Sequence, residues 1–153
     1  MISLTESCQK FIELNKEKKI VFTNGCFDIL HIGHVNLLNQ AKKLGEILIV
    51  GLNSDSSVSG LKGSSRPINK EKDRKYILEN LKSVDFVEIF SDETPYQLIK
   101  LIKPAVLVKG GDWPVDKIIG HDIVFSYGGE VKSLNLVNGY STSSTIEKLQ
   151  GKK

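Results

Sequence analysis

Two histidines three residues apart, His31 and His34, flank Gly33 in the stretch NGCFDILHIGH (Asn24–His34), which follows an apolar run. If a helix opens there, this spacing puts both imidazoles on one face of its first turn. Unpaired backbone N–H groups and the helix dipole already favour an anion at that place. Two imidazole donors added to such a start make a phosphate clamp. The same spacing fits exposed or capping histidines, or two metal ligands with Asp28 as the sole near third. Residue types alone leave the three readings open.

Other chemistry-bearing stretches follow further along the chain. Lys109, Gly110, Gly111, Asp112 and Trp113 end an apolar run, and glycines let backbone approach a ligand closely. Ser141, Thr142, Ser143 and Ser144 place hydroxyls at a helix start, where capping is the everyday role. Both roles fit together if Thr142 caps while its serine neighbours present donors. Lys62 and Arg66 lie in SSVSGLKGSSRPIN, a Ser- and Gly-rich stretch that reads as one long irregular loop. Arg74 has Glu71 and Asp73 nearby for an ion pair on a solvated helix face. Cys26 has no partner in its motif and reads as a small packed residue. His121 stands alone and reads as structural or solvated.

The elements that must position these residues alternate. A leading helix, with Ser3 or Thr5 as its cap, occupies the first 17 residues. KKIVFTN is a buried strand ending at Gly25, and a helix runs from Gly33 to a stop at Gly45. EILIVGLNSD is a second strand, KEKDRKYILENLKSV a helix, DFVEIF a strand, TPYQLIKLIK a helix and PAVLVKGGDW a strand. The remainder reads as a helix from Val115 to Tyr127, a strand from Glu130 to Leu136 and a closing helix from Ser143. Strands that are apolar nearly throughout and alternate with helices predict an α/β fold with a parallel five-stranded sheet flanked by helices. Ligands in such sheets bind beyond the carboxyl ends of the strands.

Length and composition narrow the reading. At 153 residues the chain suits a single domain, residues 1–153. Its net charge of +3, from 21 basic and 18 acidic residues, lacks the dense basic stripe of a nucleic-acid binder. The expected partners are therefore neither nucleic acid nor membrane, since no apolar run reaches spanning length. Cys8 and Cys26 have no metal or disulfide spacing, and no signal peptide is evident, so a cytoplasmic setting is expected. No Ser–His–Asp or paired-carboxylate arrangement is favoured. No G-x-G-x-x-G follows the first strand, which argues against a dinucleotide-dependent oxidoreductase.

GCFDILHIGH resembles the HxGH signature of the cytidylyltransferase-like nucleotidylyltransferases. Four further stretches follow in the order seen in the adenylyltransferase domain of bacterial heptose-1-phosphate enzymes: LNSDSSVSGLKGSSRPIN, DRKYILENLKSVDFVEIF, DETPYQLIKLIKPAVLVKGGDW and GYSTSSTIEKL. The likeness covers a core of residues 19–149 and implies a Rossmann-like fold of the nucleotidylyltransferase type. It implies transfer of AMP from ATP, with Mg²⁺ on the phosphates, to a sugar 1-phosphate such as D-glycero-β-D-manno-heptose 1-phosphate, releasing pyrophosphate. His31, His34, Lys62 and Arg74 are then the catalytic residues. Asn24, Gly25, Cys26, Phe27, Gly33, Lys109, Gly110 and Ser141 to Ser144 (with Thr142 and Ser143) bind the nucleotide. Asp28, Arg66, Asp112 and Trp113 serve the acceptor, and no residue is assigned as a resident metal ligand.

The resemblance further implies a homodimer and a separate kinase that supplies the substrate. The chain departs from the related glycerol-phosphate enzymes in carrying Leu136 and Val137 where they have an arginine. The alternatives are a CTP-dependent cytidylyltransferase acting on glycerol 3-phosphate or an aminoalcohol phosphate, and a nucleotide-binding module without catalysis.

Overall fold

In the computed structural model, which describes residues 2–152, five strands form one wholly parallel sheet. The elements in chain order are α1 (Glu6–Leu14), β1 (Ile20–Gly25), α2 (Ile32–Lys42), β2 (Ile47–Asn53), α3 (Asp55–Lys62) and α4 (Glu71–Glu79). There follow β3 (Phe86–Phe90), α5 (Tyr96–Ile102), β4 (Val106–Gly110), α6 (His121–Ser126), β5 (Glu130–Leu134) and α7 (Thr142–Leu149). The strand order is β3-β2-β1-β4-β5. The chain thus winds outward from β1 in one direction, then crosses back over it to add β4 and β5 on the other side.

Helices cover both faces, so each strand needs apolar residues at successive positions. All seven residues of β2 are buried. On one face Val21, Val50, Val87, Val106 and Val108 meet Leu37, Leu38 and Ala41 of α2 and Leu78 of α4. On the other, Phe22, Ile49, Phe90 and Leu107 meet Leu98, Ile99 and Ile102 of α5. Alternate residues of each strand enter opposite layers, as the pleat requires. Thr5 caps α1 by accepting from the Cys8 N–H, and its own N–H and hydroxyl donate to buried Glu88 of β3, which fastens the leading helix to the sheet.

Three sequence expectations change. The supposed long irregular stretch is half helix: Ser54 caps α3 by accepting from the Ser57 N–H, and Val58 buries fully. Its serines suggest loop because their hydroxyls compete for backbone, yet Ser54 uses that ability to start a helix. The loop proper is only residues 63–70. The helix expected over 115–127 is instead a 3₁₀ turn at Val115–Lys117 and the short α6, separated where Gly120 takes φ +90. Finally, β5 ends at Leu134, and α7 starts at Thr142 with Ser141 as its cap.

Candidate active site

The crossover point between β1 and β4 is where a parallel sheet opens a crevice at its carboxyl edge. The loops singled out in the sequence follow β1, β4 and β5, which lie side by side. A cleft of about 370 Å³ opens there. Its walls include Asn24, Gly25, Cys26, Phe27 and Asp28 from β1 and its loop, His34 from α2, and Lys109 from β4. Lys62, Arg66 and Thr142 join them from α3, the following loop and α7.

The two histidines begin α2 and lock each other. His31 is the N-cap and its Nδ1 accepts from the Gly33 N–H at 3.1 Å, while His34 Nδ1 accepts from the His31 N–H at 3.3 Å. This reciprocal cap satisfies two orphan backbone donors. An imidazole that accepts at Nδ1 carries its proton on Nε2, so both rings are neutral and present Nε2–H. Burial holds His31 below its ordinary pKa. Burial, then His31 and Lys62, push His34 down to about 4 against the pull of Asp28. Gly33 makes the arrangement possible, because a Cβ there would sit 2.9 Å from the His31 ring.

Around this pair the cleft is cationic. Burial lowers the pKa of Lys109, and Lys62 pushes the same way. Burial likewise raises the Cys26 thiol, which keeps it a protonated wall residue and no nucleophile. The hydroxyl of Thr142 donates to the Asp28 carbonyl at 2.6 Å, tying the start of α7 to the β1 loop. Phe27 and Ile29, on either side of Asp28, both have positive φ, at 46° and 49°. That sharp turn sends the Asp28 carboxylate inward.

Several expected roles shift. Thr142 does not cap; Ser141 and Ser144 form the capping box, and Ser141 and Ser143 are exposed at the helix start. Arg74 is neither on a solvated face nor in the cleft. Its side chain is fully enclosed: Nε donates to Asn69 O, Nη1 to Cys26 O and Asn53 O, and Nη2 to the Asp55 carboxylate. Each of its nitrogens is bonded within the protein, through four of the five guanidinium N–H groups, so Arg74 frames the site.

Asp28, expected beside a phosphate or its metal, has both oxygens engaged by Arg66 Nε and the N–H groups of Ile68 and Asn69. Burial pushes this carboxyl up, yet the Asn69, Ile68 and Arg66 bonds outweigh it and hold the pKa below its ordinary value. Asp112 is exposed and outside the cleft. Trp113 lines an adjoining recess of about 140 Å³ with Leu107, Ile118 and Lys117. Gly110 lines a third recess, of about 120 Å³, with Leu37 and Leu136.

Asn53, Leu61, Glu93, Pro95 and Ile119 complete the cleft wall without having been singled out in the sequence. Asn53 had a signal, since it ends β2 at the same sheet edge; the other four carry none. Among the described residues no group of three His, Cys, Asp or Glu could hold a metal ion, and no helix is long and apolar enough to cross a membrane.

Residues 22–147 match the family model described as cytidylyltransferase-like. The chain is 59% identical over 136 residues to the bifunctional protein HldE of Aliarcobacter butzleri, an alignment covering 89% of this chain and 28% of that protein. It is 47% identical over 150 residues to HldE of Syntrophotalea carbinolica, covering 97% and 31% respectively. The chain therefore spans about three-tenths of the length of these curated relatives. Among solved structures, the lipopolysaccharide core biosynthesis protein of Thermoplasma volcanium matches with TM-score 0.61 and 27% identity, over 81% of this chain and 99% of that one. Pantothenate synthetase of Thermus thermophilus shares the fold at TM-score 0.57 and 16% identity, over 92% of this chain and 68% of that one.

Proposed function

The chain belongs to the cytidylyltransferase-like family and is a nucleotidyltransferase, and from that premise we propose that it transfers AMP from ATP to a sugar 1-phosphate, D-glycero-β-D-manno-heptose 1-phosphate. The observation that carries the reading is the interlocked pair His31 and His34, in which His34 lines the cleft with Lys62 and Lys109 and His31 stacks on it at the start of α2. The order of the five sequence stretches and the lipopolysaccharide-core neighbour support a heptose acceptor.

Such a transfer needs little covalent help. A sugar-phosphate oxygen is already ionised at neutral pH, so its lone pair attacks the α-phosphorus with no proton to remove. The bond from that phosphorus to the oxygen bridging the β-phosphorus breaks, and its electron pair leaves with pyrophosphate. A new phosphoanhydride joins AMP to the sugar phosphate. The protein has to align the two anions and stabilise the charge that builds on the α-phosphate oxygens. Neutral Nε2–H donors fixed by the capping box suit that task, because they are oriented before the substrate arrives. Lys62 and Lys109 offset the negative charge of the two substrates.

Magnesium enters this reading with ATP. Among the described residues no group of three His, Cys, Asp or Glu forms a holder for it, and the Asp28 carboxylate is bonded on both oxygens, so in this reading the ion arrives with the substrate. The single-domain organisation of residues 1–153 and the homodimer are part of the same proposal.

Pyrophosphate release tests the reading directly, with ATP or CTP paired in turn with heptose 1-phosphate and glycerol 3-phosphate. Release with ATP and heptose 1-phosphate is the expected result. Release only with CTP and glycerol 3-phosphate would replace it by the cytidylyltransferase reading.

A further inference from the structure

The turn between β1 and α2 carries two residues in the left-handed region, Phe27 at φ 46° and Ile29 at φ 49°, with Asp28 between them. A Cβ makes that backbone costly, and a β-branched residue such as Ile29 bears it least well. Such a conformation persists only where its surroundings hold it. Two residues after Ile29 comes His31, the cap of α2, so this turn decides where the histidine pair begins.

The bonds that hold the turn divide between side chain and main chain. Arg74 Nη1 donates to Cys26 O ahead of it. The Asp28 carboxylate accepts from Arg66 Nε and from the N–H groups of Ile68 and Asn69, which fixes the side chain and leaves the following peptide unit free to rotate. That unit is planar and joins Asp28 to Ile29, so its rotation sets ψ of Asp28 and φ of Ile29 together. Its oxygen, Asp28 O, has one donor among the described residues, the Thr142 hydroxyl at 2.6 Å. Thr142 is only 8% exposed, and the bond is buried.

A hydroxyl has a single proton to donate. Thr142 gives its own to Asp28 O, so this side chain has none for a phosphate oxygen, in contrast with the nucleotide-binding role that the resemblance implies. Thr142 is also the one buried residue of α7. On the other side of Ser141, the Tyr140 ring lies 28° from the plane of His31 with centroids 6.5 Å apart, and a Cβ on Gly33 would come within 3.6 Å of Tyr140 Cβ. The start of α7 therefore meets the start of α2 at two points, and one of them is the strained peptide unit.

We propose that Thr142 is a positioning residue for the histidine pair: by donating to Asp28 O it holds Ile29 left-handed and so sets where His31 and His34 begin α2. Its side chain touches no substrate and acts through the backbone of residues 28–31. The preceding reading enters only through the acceptor chosen for the kinetics.

Kinetics and NMR test this role. With ATP and heptose 1-phosphate, Thr142→Val, which keeps the shape and removes the proton, lowers kcat about tenfold or more and leaves KM for ATP within about twofold. Thr142→Ser, which keeps the hydroxyl, restores most of kcat. A Thr142→Val variant whose KM for ATP rises while kcat is unchanged makes the side chain a phosphate donor and overturns the inference. Nitrogen NMR of the imidazoles separates positioning from stability alone. In Thr142→Val the His31 and His34 ring signals shift, and in Thr142→Ser they coincide with those of the parent; a less stable valine variant that keeps the parent's ring signals overturns the inference. If Thr142→Val fails to fold, the parent decides by itself, through the carbonyl carbon signal of Asp28 followed as ATP is added. A signal that holds sustains the bond, and one that moves as the hydroxyl turns to the phosphates overturns it. A parent without turnover sinks the proposed reaction, and the NMR readings still decide the role of Thr142.

Discussion

The rings of His31 and His34 stack with centroids 3.7 Å apart and 22° between their planes, each with Nδ1 turned to a backbone N–H of the same helix start. The backbone therefore dictates which ring nitrogen carries the proton. Removing either imidazole takes away a donor that strengthens as charge develops in the transition state. We expect His34→Ala and His31→Ala each to lower kcat by about 10² to 10³, with a smaller change in KM for ATP. A raised KM for ATP with kcat unchanged would show ground-state binding instead.

Burial makes the same pair sensitive to acid. His34 has its pKa pushed from 6.5 down to about 4, so the unfolded chain binds a proton that the folded one resists between those values. Stability therefore rises with pH across this window and is lost as pH falls from 6.5 toward 4. A proton on Nδ1 would also break its bond from the His31 N–H. Thermal unfolding midpoints measured from pH 7 to pH 4 should fall more steeply for the parent than for His34→Gln, which has no imidazole to protonate.

Gly33 offers a substitution that separates catalysis from folding. Alanine is the better helix former by about 1 kcal/mol, yet its Cβ would press on the His31 ring at 2.9 Å. Gly33→Ala should displace that imidazole and lower kcat by about tenfold or more, following the sensitivity of catalysis to ångström-scale misplacement. Its unfolding free energy should change by less than about 2 kcal/mol, because the lost cap and the gained propensity oppose each other. Urea unfolding and pyrophosphate release on one preparation check both halves.

These residues also mark how far sequence could be read. Strand patterns were legible because β1, β2 and β4 are buried on both faces and carry apolar runs. The HxGH stretch was legible as a helix start because Gly33 and the histidine spacing are local. The Asp28–Arg66 pair and the enclosure of Arg74 were not, since they depend on contacts 38 and 48 positions apart, Asp28 with Arg66 and Cys26 with Arg74. An arginine in KDRK looks solvated until the fold closes carbonyls from two strand ends over it. Asp112 shows the opposite: a charged residue after a glycine pair looks like a ligand group, and the turn leaves it exposed and outside the cleft lining.

Arg74 supplies the test of that distinction between framing and binding. It holds the ends of β1 and β2 together through Cys26 O and Asn53 O, and its ion pair with Asp55 ties α3 to α4. Asp55 and Glu71 add reciprocal bonds between the same two helix starts. Arg74→Met leaves buried carbonyls and a carboxylate without their donor, and loss of one partner of a buried pair costs about 3–5 kcal/mol. Urea unfolding should show that loss, and Asp55→Asn, on the more exposed side of the pair, should cost less. If Arg74 frames the site without touching substrate, Arg74→Lys at low temperature should keep its KM for ATP and for the acceptor while its unfolding midpoint drops. A selective rise in either KM, with stability intact, would return Arg74 to the binding machinery.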